Sequence, residues 1–109
     1  MNWYKRSQSK KYYHVVEDHK VGEGRSVVDN ILEQGLTTVG GQFLTDDLFF
    51  AENMKNQMDI EGGGDFFGRI LDINLTPEQE SILEISPQRG EPDGLFLPDN
   101  IRPEQISLH

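Results

Sequence analysis

The feature of this sequence that most constrains its fold is a short run near the N-terminus in which nearly every side chain is aromatic or β-branched. The run reads YYHVV, from Tyr12 to Val16, and only His14 interrupts its apolar character. A strand that is apolar on both faces has to be covered on both faces. The run therefore predicts a strand in the interior of a sheet, with the rest of the chain packed around it.

The segments that follow alternate between helix and strand signals. Residues 17–26 are polar and predict a loop, at the end of which Ser26 can cap an amphipathic helix that stops at Gly35. A short strand is predicted at 42–45, and either of the two aspartates that follow it, Asp46 and Asp47, can cap a second helix.

The second half of the chain repeats this alternation. Period-two hydrophobicity over 71–75 predicts a half-buried strand, and Thr76 with Pro77 begins a third helix as N-cap and first helical residue. The apolar residues within 82–85 either finish that helix or begin a strand, and 95–97 forms a last short strand. We therefore predict an α+β fold with a compact mixed sheet. A doubly wound parallel sheet is the alternative, and it is disfavoured because GEGRS after the first strand lacks the third glycine of a dinucleotide fingerprint.

Length and composition limit the classes of protein that the chain can belong to. It has 109 residues and no cysteine, which predicts one small domain without disulfides or thiolate-bound metal. We divide it into a basic arm, 1–11, and a single domain, 12–109. Neither a signal peptide nor an apolar run of about 20 residues is visible, so no membrane interaction is expected.

Charge is unevenly distributed along the chain. The net charge is −9, but residues 1–20 carry +3, whereas residues 21–109 contain five basic and seventeen acidic side chains and carry −12. Such an acidic body repels phosphate backbones, so no generic nucleic-acid-binding face is expected. The acidic surface suits a basic protein partner, and it equally serves solubility alone.

Few polar residues stand where a packed core could position them for chemistry. His14 interrupts the apolar strand, so it either bonds a backbone carbonyl within the core or belongs to a site. Asp46 and Asp47 are explained by helix capping, and Glu91 and Asp93 by an acidic proline-glycine turn before the last strand.

A metal site is not predicted. His14 and His19, with Glu17 and Asp18 between them, are the only candidate ligand group, and their spacing matches no strong metal signature.

Five short blocks, taken in order, resemble the ADP-ribosyltransferase-like superfamily, most closely the small bacterial domains at the C-termini of polymorphic secreted toxins. The blocks are Tyr13-His14-Val15, ILEQGL, GGQFLTDDLFFAENM, GRILDINLTPEQ and LFLPDNIRPEQI. They extend over about residues 12–106, which is nearly the whole chain. The resemblance implies a split, strongly curved β-structure that holds NAD, as substrate, in a cleft.

The resemblance also implies roles for individual residues. The first-strand histidine, here His14, would bind the adenosine-side ribose. Phe43 stands where the family has a tyrosine that stacks on nicotinamide, so it keeps the stacking face and loses the hydroxyl. The family's glutamate before a late strand corresponds to Gly94, so Asp93 and Glu91 become the candidate acids. The further residues expected near the cofactor are Tyr13, Val15, Thr45 and Ala51.

The chemistry explains why those residue types recur. Breaking the nicotinamide–ribose bond builds positive charge on the sugar, which a fixed carboxylate stabilises without any metal. The resemblance therefore implies a toxin domain that transfers ADP-ribose to a macromolecule or hydrolyses NAD. Such a domain would be delivered into a target bacterial cell, act in its cytoplasm and have a cognate immunity protein. The alternative is a non-catalytic acidic immunity or inhibitor protein that binds a basic partner.

Overall fold

The computed structural model describes residues 11–85 and 94–109, and within these ranges the chain forms one six-stranded sheet, one hairpin and three α-helices. Of the predicted basic arm, residues 1–10 lie outside the described residues. In chain order the elements are β1 (Tyr12–Asp18), β2 (Lys20–Gly22), β3 (Arg25–Ser26), α1 (Val27–Gln34), β4 (Gln42–Thr45), α2 (Leu48–Gly62), β5 (Phe67–Ile73), α3 (Pro77–Ser81), β6 (Glu84–Ile85), β7 (Gly94–Leu97), a 3-10 turn (Pro103–Gln105) and β8 (Ile106–Leu108).

The large sheet has the order β6-β7-β4-β1-β5-β8, and every neighbouring pair in it is antiparallel. The α+β prediction is confirmed, and so is the interior position of β1. The prediction of a mixed sheet is wrong, and the doubly wound parallel alternative is excluded. Hydrophobic periodicity locates strands along a chain but contains no information about their relative directions. The antiparallel arrangement of the sheet could therefore not be predicted from it.

The two faces of β1 belong to two different apolar clusters. Tyr12 packs in the larger cluster with the fully buried Leu71 of β5, on the face that α1 also covers. Tyr13 points to the opposite face, where it packs with Ala51 of α2 and Ile70 of β5. Because successive side chains of a strand alternate between faces, the apolar YYHVV run is buried from both sides.

The predicted helix starts are confirmed in atomic detail. Ser26 caps α1, since its hydroxyl accepts a hydrogen bond from the Asp29 amide while the Asp29 carboxylate accepts one from the Ser26 amide. Asp47, rather than its neighbour, caps α2. Thr76 caps α3 in the same reciprocal way as Ser26. Gly35 ends α1 with a φ of 91°, a conformation that favours glycine.

β1 makes very different pairings with its two neighbours. Its register with β5 runs without interruption from Tyr12↔Ile73 to Asp18↔Phe67. With β4 it has a single pair in register, Tyr13↔Thr45. The sheet therefore consists of two three-stranded halves, β6-β7-β4 and β1-β5-β8. We call the place where they meet the β1–β4 junction, and it is formed by residues 13–16 and 42–45.

The predicted loop at 17–26 is wrong. β1 continues to Asp18, and the segment beyond it forms the β2–β3 hairpin. Asp18 can end a strand in the interior because its charge is compensated: its carboxylate accepts the Val28 amide of α1 at 3.1 Å and pairs with Arg69 at 3.5 Å. This long-range compensation has no signature in the local sequence.

The strand predicted at 71–75 lies earlier, at Phe67–Ile73, and α3 ends at Ser81 so that 84–85 forms a strand. Gly68 allows the earlier start, because a Cβ there would lie 2.9 Å from the Lys55 backbone of α2. The edge strand β8 was not predicted either. The last predicted strand is confirmed as β7.

Candidate functional site

The imidazole of His14 lies at the β1–β4 junction, where it makes a hydrogen bond across the two strands. The His14 side chain is half-buried, and its Nδ1 lies 2.7 Å from the backbone carbonyl oxygen of Phe43 on β4. A carbonyl oxygen only accepts, so Nδ1 carries the proton and donates it. In the neutral ring Nε2 then keeps its lone pair, and no residue within 11–85 or 94–109 hydrogen-bonds it.

His14 is held in this neutral form. Burial lowers the pKa of its imidazole below the ordinary value of 6.5, and the weaker effect of the hydrogen bond to the Phe43 carbonyl opposes that shift. At neutral pH the ring therefore donates through Nδ1 and offers an acceptor at Nε2. This arrangement suits a hydroxyl group as its partner, because a hydroxyl can donate to Nε2 without any change in charge.

Phe43 presents an aromatic surface on the face of the sheet opposite to this imidazole, because its side chain alternates with that of Leu44, which packs on the His14 face. Its side chain is 44% exposed, and its ring centroid lies 5.1 Å from that of Phe96 on β7, with 57° between the ring planes. The two residues are directly opposite in the β4–β7 register, so their rings share a face. Exposed aromatic pairs of this kind provide a flat surface for stacking a planar ligand.

The other residues predicted near a cofactor are placed differently. Tyr13 and Thr45 are in register with each other and are buried, and the Thr45 hydroxyl accepts a hydrogen bond from the Asp47 amide. Ala51 is fully buried against the face of the sheet that Tyr13 covers. Val15 lies partly buried in the same cluster. These four side chains lie on the face of the sheet opposite to His14, and so does the ring of Phe43; the structure therefore does not bring the predicted cofactor residues together with His14 on one face.

The two predicted acids, Glu91 and Asp93, lie outside the described residues. The strand that follows them, β7, begins at Gly94, whose register partner is Thr45. Because Thr45 also pairs with Tyr13, Gly94 stands in a row of residues that crosses from β7 over β4 to β1.

A second hydrogen bond fixes the start of β1. The Tyr12 hydroxyl donates to the Glu80 carboxylate of α3 at 2.9 Å. Burial first, then this hydrogen bond and the negative charges of Glu80 and Asp46, raise the pKa of Tyr12 to about 12. Tyr12 therefore remains a hydrogen-bond donor at any physiological pH. Its bond to Glu80 connects α3 to β1, the strand that carries His14.

The part of the chain that the structure describes contains no cluster of three or more side chains suited to hold a metal ion. The candidate ligand Asp18 is already engaged by Val28 and Arg69. No helix within the described ranges is long and apolar enough to cross a membrane.

Comparisons with protein families, with curated proteins and with solved structures found no match to this chain. Its function therefore has to be argued from the geometry of the junction and from the resemblance of its sequence blocks.

Sequence reasoning missed Phe96 as the partner of Phe43. Both residues lie inside four-residue strands, QFLT and GLFL, which is a weak signal for a cross-strand aromatic pair. The pairing itself depends on strand register. β4 and β7 are far apart in the sequence and are not joined by a tight hairpin turn, so no local signal fixes their register.

Proposed function

We propose that this chain is an NAD-dependent ADP-ribosyltransferase-like domain of the toxin type, which transfers ADP-ribose to a macromolecule or hydrolyses NAD. The observation that carries the proposal is the β1–β4 junction, where the two strands share a single pair in register and the backbone carbonyl of Phe43 holds the imidazole of His14. The sequence blocks that resemble the superfamily contribute these same two residues.

The state of His14 supports its proposed role. A ribose hydroxyl can donate to Nε2 while Nδ1 stays bonded to the Phe43 carbonyl, so ligand binding requires no rearrangement of the side chain. The lowered pKa keeps Nε2 an acceptor at neutral pH. The buried position of His14 is therefore compatible with its proposed role in binding a ribose hydroxyl.

The strand edges at the junction support the proposed nicotinamide position. Beyond Tyr13↔Thr45, β1 and β4 have no further pair in register among the described residues, and we propose that peptide groups of both strands there are available to a ligand. The carboxamide of nicotinamide has one donor and one acceptor group, which suits an open strand edge, while its ring can stack on Phe43.

The sparse pairing of β1 with β4 supports the proposal of a split β-structure. In the proposed complex the dinucleotide lies along the β1–β4 junction. In the proposed reaction the bond from the ribose to the nicotinamide nitrogen breaks, its electron pair leaves with nicotinamide, and water or a target nucleophile attacks the sugar cation. We propose Glu91 or Asp93 as the carboxylate that stabilises this cation.

Nicotinamide release from NAD tests the proposal, with two substitutions of His14. His14→Asn retains a side-chain N–H near the position of Nδ1 and removes the acceptor at Nε2, whereas His14→Ala removes both. If the histidine binds ribose, both variants lose about 10- to 100-fold in kcat/KM. Activity that survives His14→Asn but not His14→Ala would reduce the histidine to a structural hydrogen bond and contradict its role. Absence of any NAD turnover and binding by the unsubstituted protein would reject the function.

A second candidate function is favoured by the charge distribution. The −12 carried by residues 21–109 suits an acidic immunity or inhibitor protein that neutralises a basic partner. Calorimetric titration separates the two candidate functions. An immunity or inhibitor protein would show no heat of binding with NAD, and its binding to a basic protein would weaken as the salt concentration rises. For the enzyme, we propose delivery into a bacterial cell, action in its cytoplasm and protection of the producer by an immunity protein.

A further inference from the structure

The two halves of the sheet are connected by more than the strands at the junction. Within the described ranges, β1 and β4 share one pair in register and the bond from the His14 imidazole to the Phe43 carbonyl. Two connecting segments also pass from one half to the other: residues 74–83, which contain α3, run from β5 to β6, and residues 98–105 run from β7 to β8. A contact between these two segments therefore links the halves a second time.

The carboxamide of Gln79, in α3, is at the centre of this contact. The side chain is buried, and its Nε2 donates to the Asp99 carboxylate at 3.3 Å and to the Asn100 carbonyl oxygen at 3.0 Å. Its Oε1 accepts from the Thr76 amide at 3.0 Å and from Nε2 of Gln105 at 2.6 Å. A carboxamide has two donor hydrogens and two acceptor lone pairs, so all four are used.

Through these bonds Gln79 is attached to both halves of the sheet. Asp99 and Asn100 follow β7, which belongs to the β6-β7-β4 half. Gln105 precedes β8 in the other half, and its Nε2 also donates to the Asn74 carbonyl oxygen, just after β5, at 2.7 Å. A buried polar network whose members are satisfied makes the elements that it joins rigid. The position of one half relative to the other therefore depends on this network.

The network holds the two halves unequally. On the β1-β5-β8 side the two bonds of Gln105 measure 2.6 and 2.7 Å. On the β6-β7-β4 side the bonds of Gln79 measure 3.0 and 3.3 Å, and Gln42 of β4 reaches the Asp99 carbonyl oxygen at 3.5 Å. Oε1 of Gln42 is buried and has no hydrogen-bond partner among the described residues. Long hydrogen bonds are weak ones, so the contact with the β6-β7-β4 half is the one that breaks first.

We infer that the carboxamide of Gln79 is a latch between the two halves, and that release of its bonds to Asp99 and Asn100 lets the β1–β4 junction open. In the opened state α3 and Gln105 stay with the β1-β5-β8 half, and the strands separate at their single pair in register. Such local openings require less free energy than global unfolding. The latch is a property of the fold, so it does not depend on what the junction binds.

The latch lies on the face of the sheet that carries the His14 imidazole. Leu75 and Leu83, on either side of α3, pack against the apolar cluster that contains Leu71, the register partner of His14. The Tyr12 hydroxyl, from the same cluster, bonds a carboxylate of α3. Release of the latch is therefore expected to increase the exposure of the half-buried His14 side chain.

Amide hydrogen exchange of the full chain, followed residue by residue by NMR, tests the latch. The amides of Tyr13 and Thr45 report opening of the junction, and the amides of the β1–β5 ladder are the internal reference. Gln79→Met removes all four bonds of the carboxamide but keeps an unbranched side chain. Asp99→Ala, at an exposed residue, removes one bond to the β6-β7-β4 half and leaves Gln79 and its bond to the Thr76 amide in place.

Two control variants remove the same chemical groups from exposed positions elsewhere. Gln57→Met replaces a glutamine of α2 whose carboxamide bonds the Glu61 carboxylate at 3.3 Å. Asp65→Ala removes an acid from the segment between α2 and β5. Neither residue touches the network, so neither variant should change the exchange of the junction amides relative to the ladder.

Relative to the ladder, we expect the junction amides to exchange about tenfold faster in Gln79→Met and roughly threefold faster in Asp99→Ala. An unchanged ratio in Asp99→Ala overturns the inference, because Gln79 would then serve only to cap α3. Equal acceleration of junction and ladder amides in Gln79→Met also overturns it, because the glutamine would then stabilise the fold without joining its halves. Should Gln79→Met fail to fold, the ratio in Asp99→Ala alone decides.

Discussion

The two sides of β1 differ more than any other pair of regions in the molecule. On the β5 side every residue of the strand is in register, and Leu71, the partner of His14 on β5, is fully buried. On the β4 side one pair, Tyr13↔Thr45, holds the strands together, and the His14 imidazole completes the contact by bonding the Phe43 carbonyl.

In the proposed function, one strand serves both stability and binding. Backbone ladders and buried apolar side chains on the closed side fix the position of β1. With the strand fixed from one side, the other side can remain open, and a side chain rather than the ladder can bridge it. Substitutions on the closed side should therefore change stability, and those on the open side should change ligand binding.

The largest expected effect on stability is on the closed side. Leu71→Ala removes a side chain with no exposed surface and should lower the free energy of unfolding by about 2–5 kcal/mol. Val39→Ala, at a residue that is 99% exposed, should change it by less than about 0.5 kcal/mol. Denaturant unfolding measures both. A loss below about 1 kcal/mol for Leu71→Ala would mean that this side is not the rigid one.

A matched pair of phenylalanines sharpens the comparison. Phe43 on the open side and Phe67 on the closed side are both 44% exposed. Truncation of either to alanine should cost about 1–2 kcal/mol of stability, because each buries a similar part of its ring. Only Phe43→Ala should weaken NAD binding, by about tenfold, as measured by calorimetry. Equal weakening by Phe67→Ala would contradict the assignment of the open side.

The smallest expected effect is a dependence of stability on pH that originates at His14. Its pKa in the folded chain lies below 6.5, so between that value and 6.5 the unfolded chain binds more protons than the folded one. Stability should therefore fall as the pH is lowered through 6.5 and level off below the folded pKa.

His14→Asn provides the control for this pH dependence, because it cannot titrate. Denaturant unfolding at a series of pH values between about 7 and 5 should show a shallower decrease for the variant than for the unsubstituted chain. Identical slopes would show that burial does not disfavour the charged imidazole at this position.

The local features of the fold could be predicted from the sequence, whereas its long-range features could not. Ser26, Asp47 and Thr76 cap helices as expected, because capping involves residues only two or three positions apart. The end of β1 at the buried Asp18, the early start of β5 at Phe67 and the edge strand β8 depend on contacts with α1, with α2 and with β5 respectively, which are distant parts of the chain.

The candidate site divides in the same way. His14 could be identified because it is a polar residue within an apolar strand. Its neighbours Tyr13 and Val15 lie on the opposite face of the sheet. This follows from the alternation of side chains along a strand, so the sequence alone was sufficient to predict it. The pairing of Phe43 with Phe96 could not be foreseen, because it depends on the register of β4 with β7, two strands that are far apart in the chain.

The sheet order also determines when the sheet can be completed during synthesis of the chain. The strand that carries His14 is made first but lies between partners that are made later: β4, β5 and, beyond β4, the late strand β7. Because pairings between distant segments form slowly and only once both segments exist, a nascent chain on the ribosome lacks the β4–β7 pairing until Leu97 has emerged. The outer half of the sheet therefore assembles late, and β4 waits for its partner while the segments between them are being made.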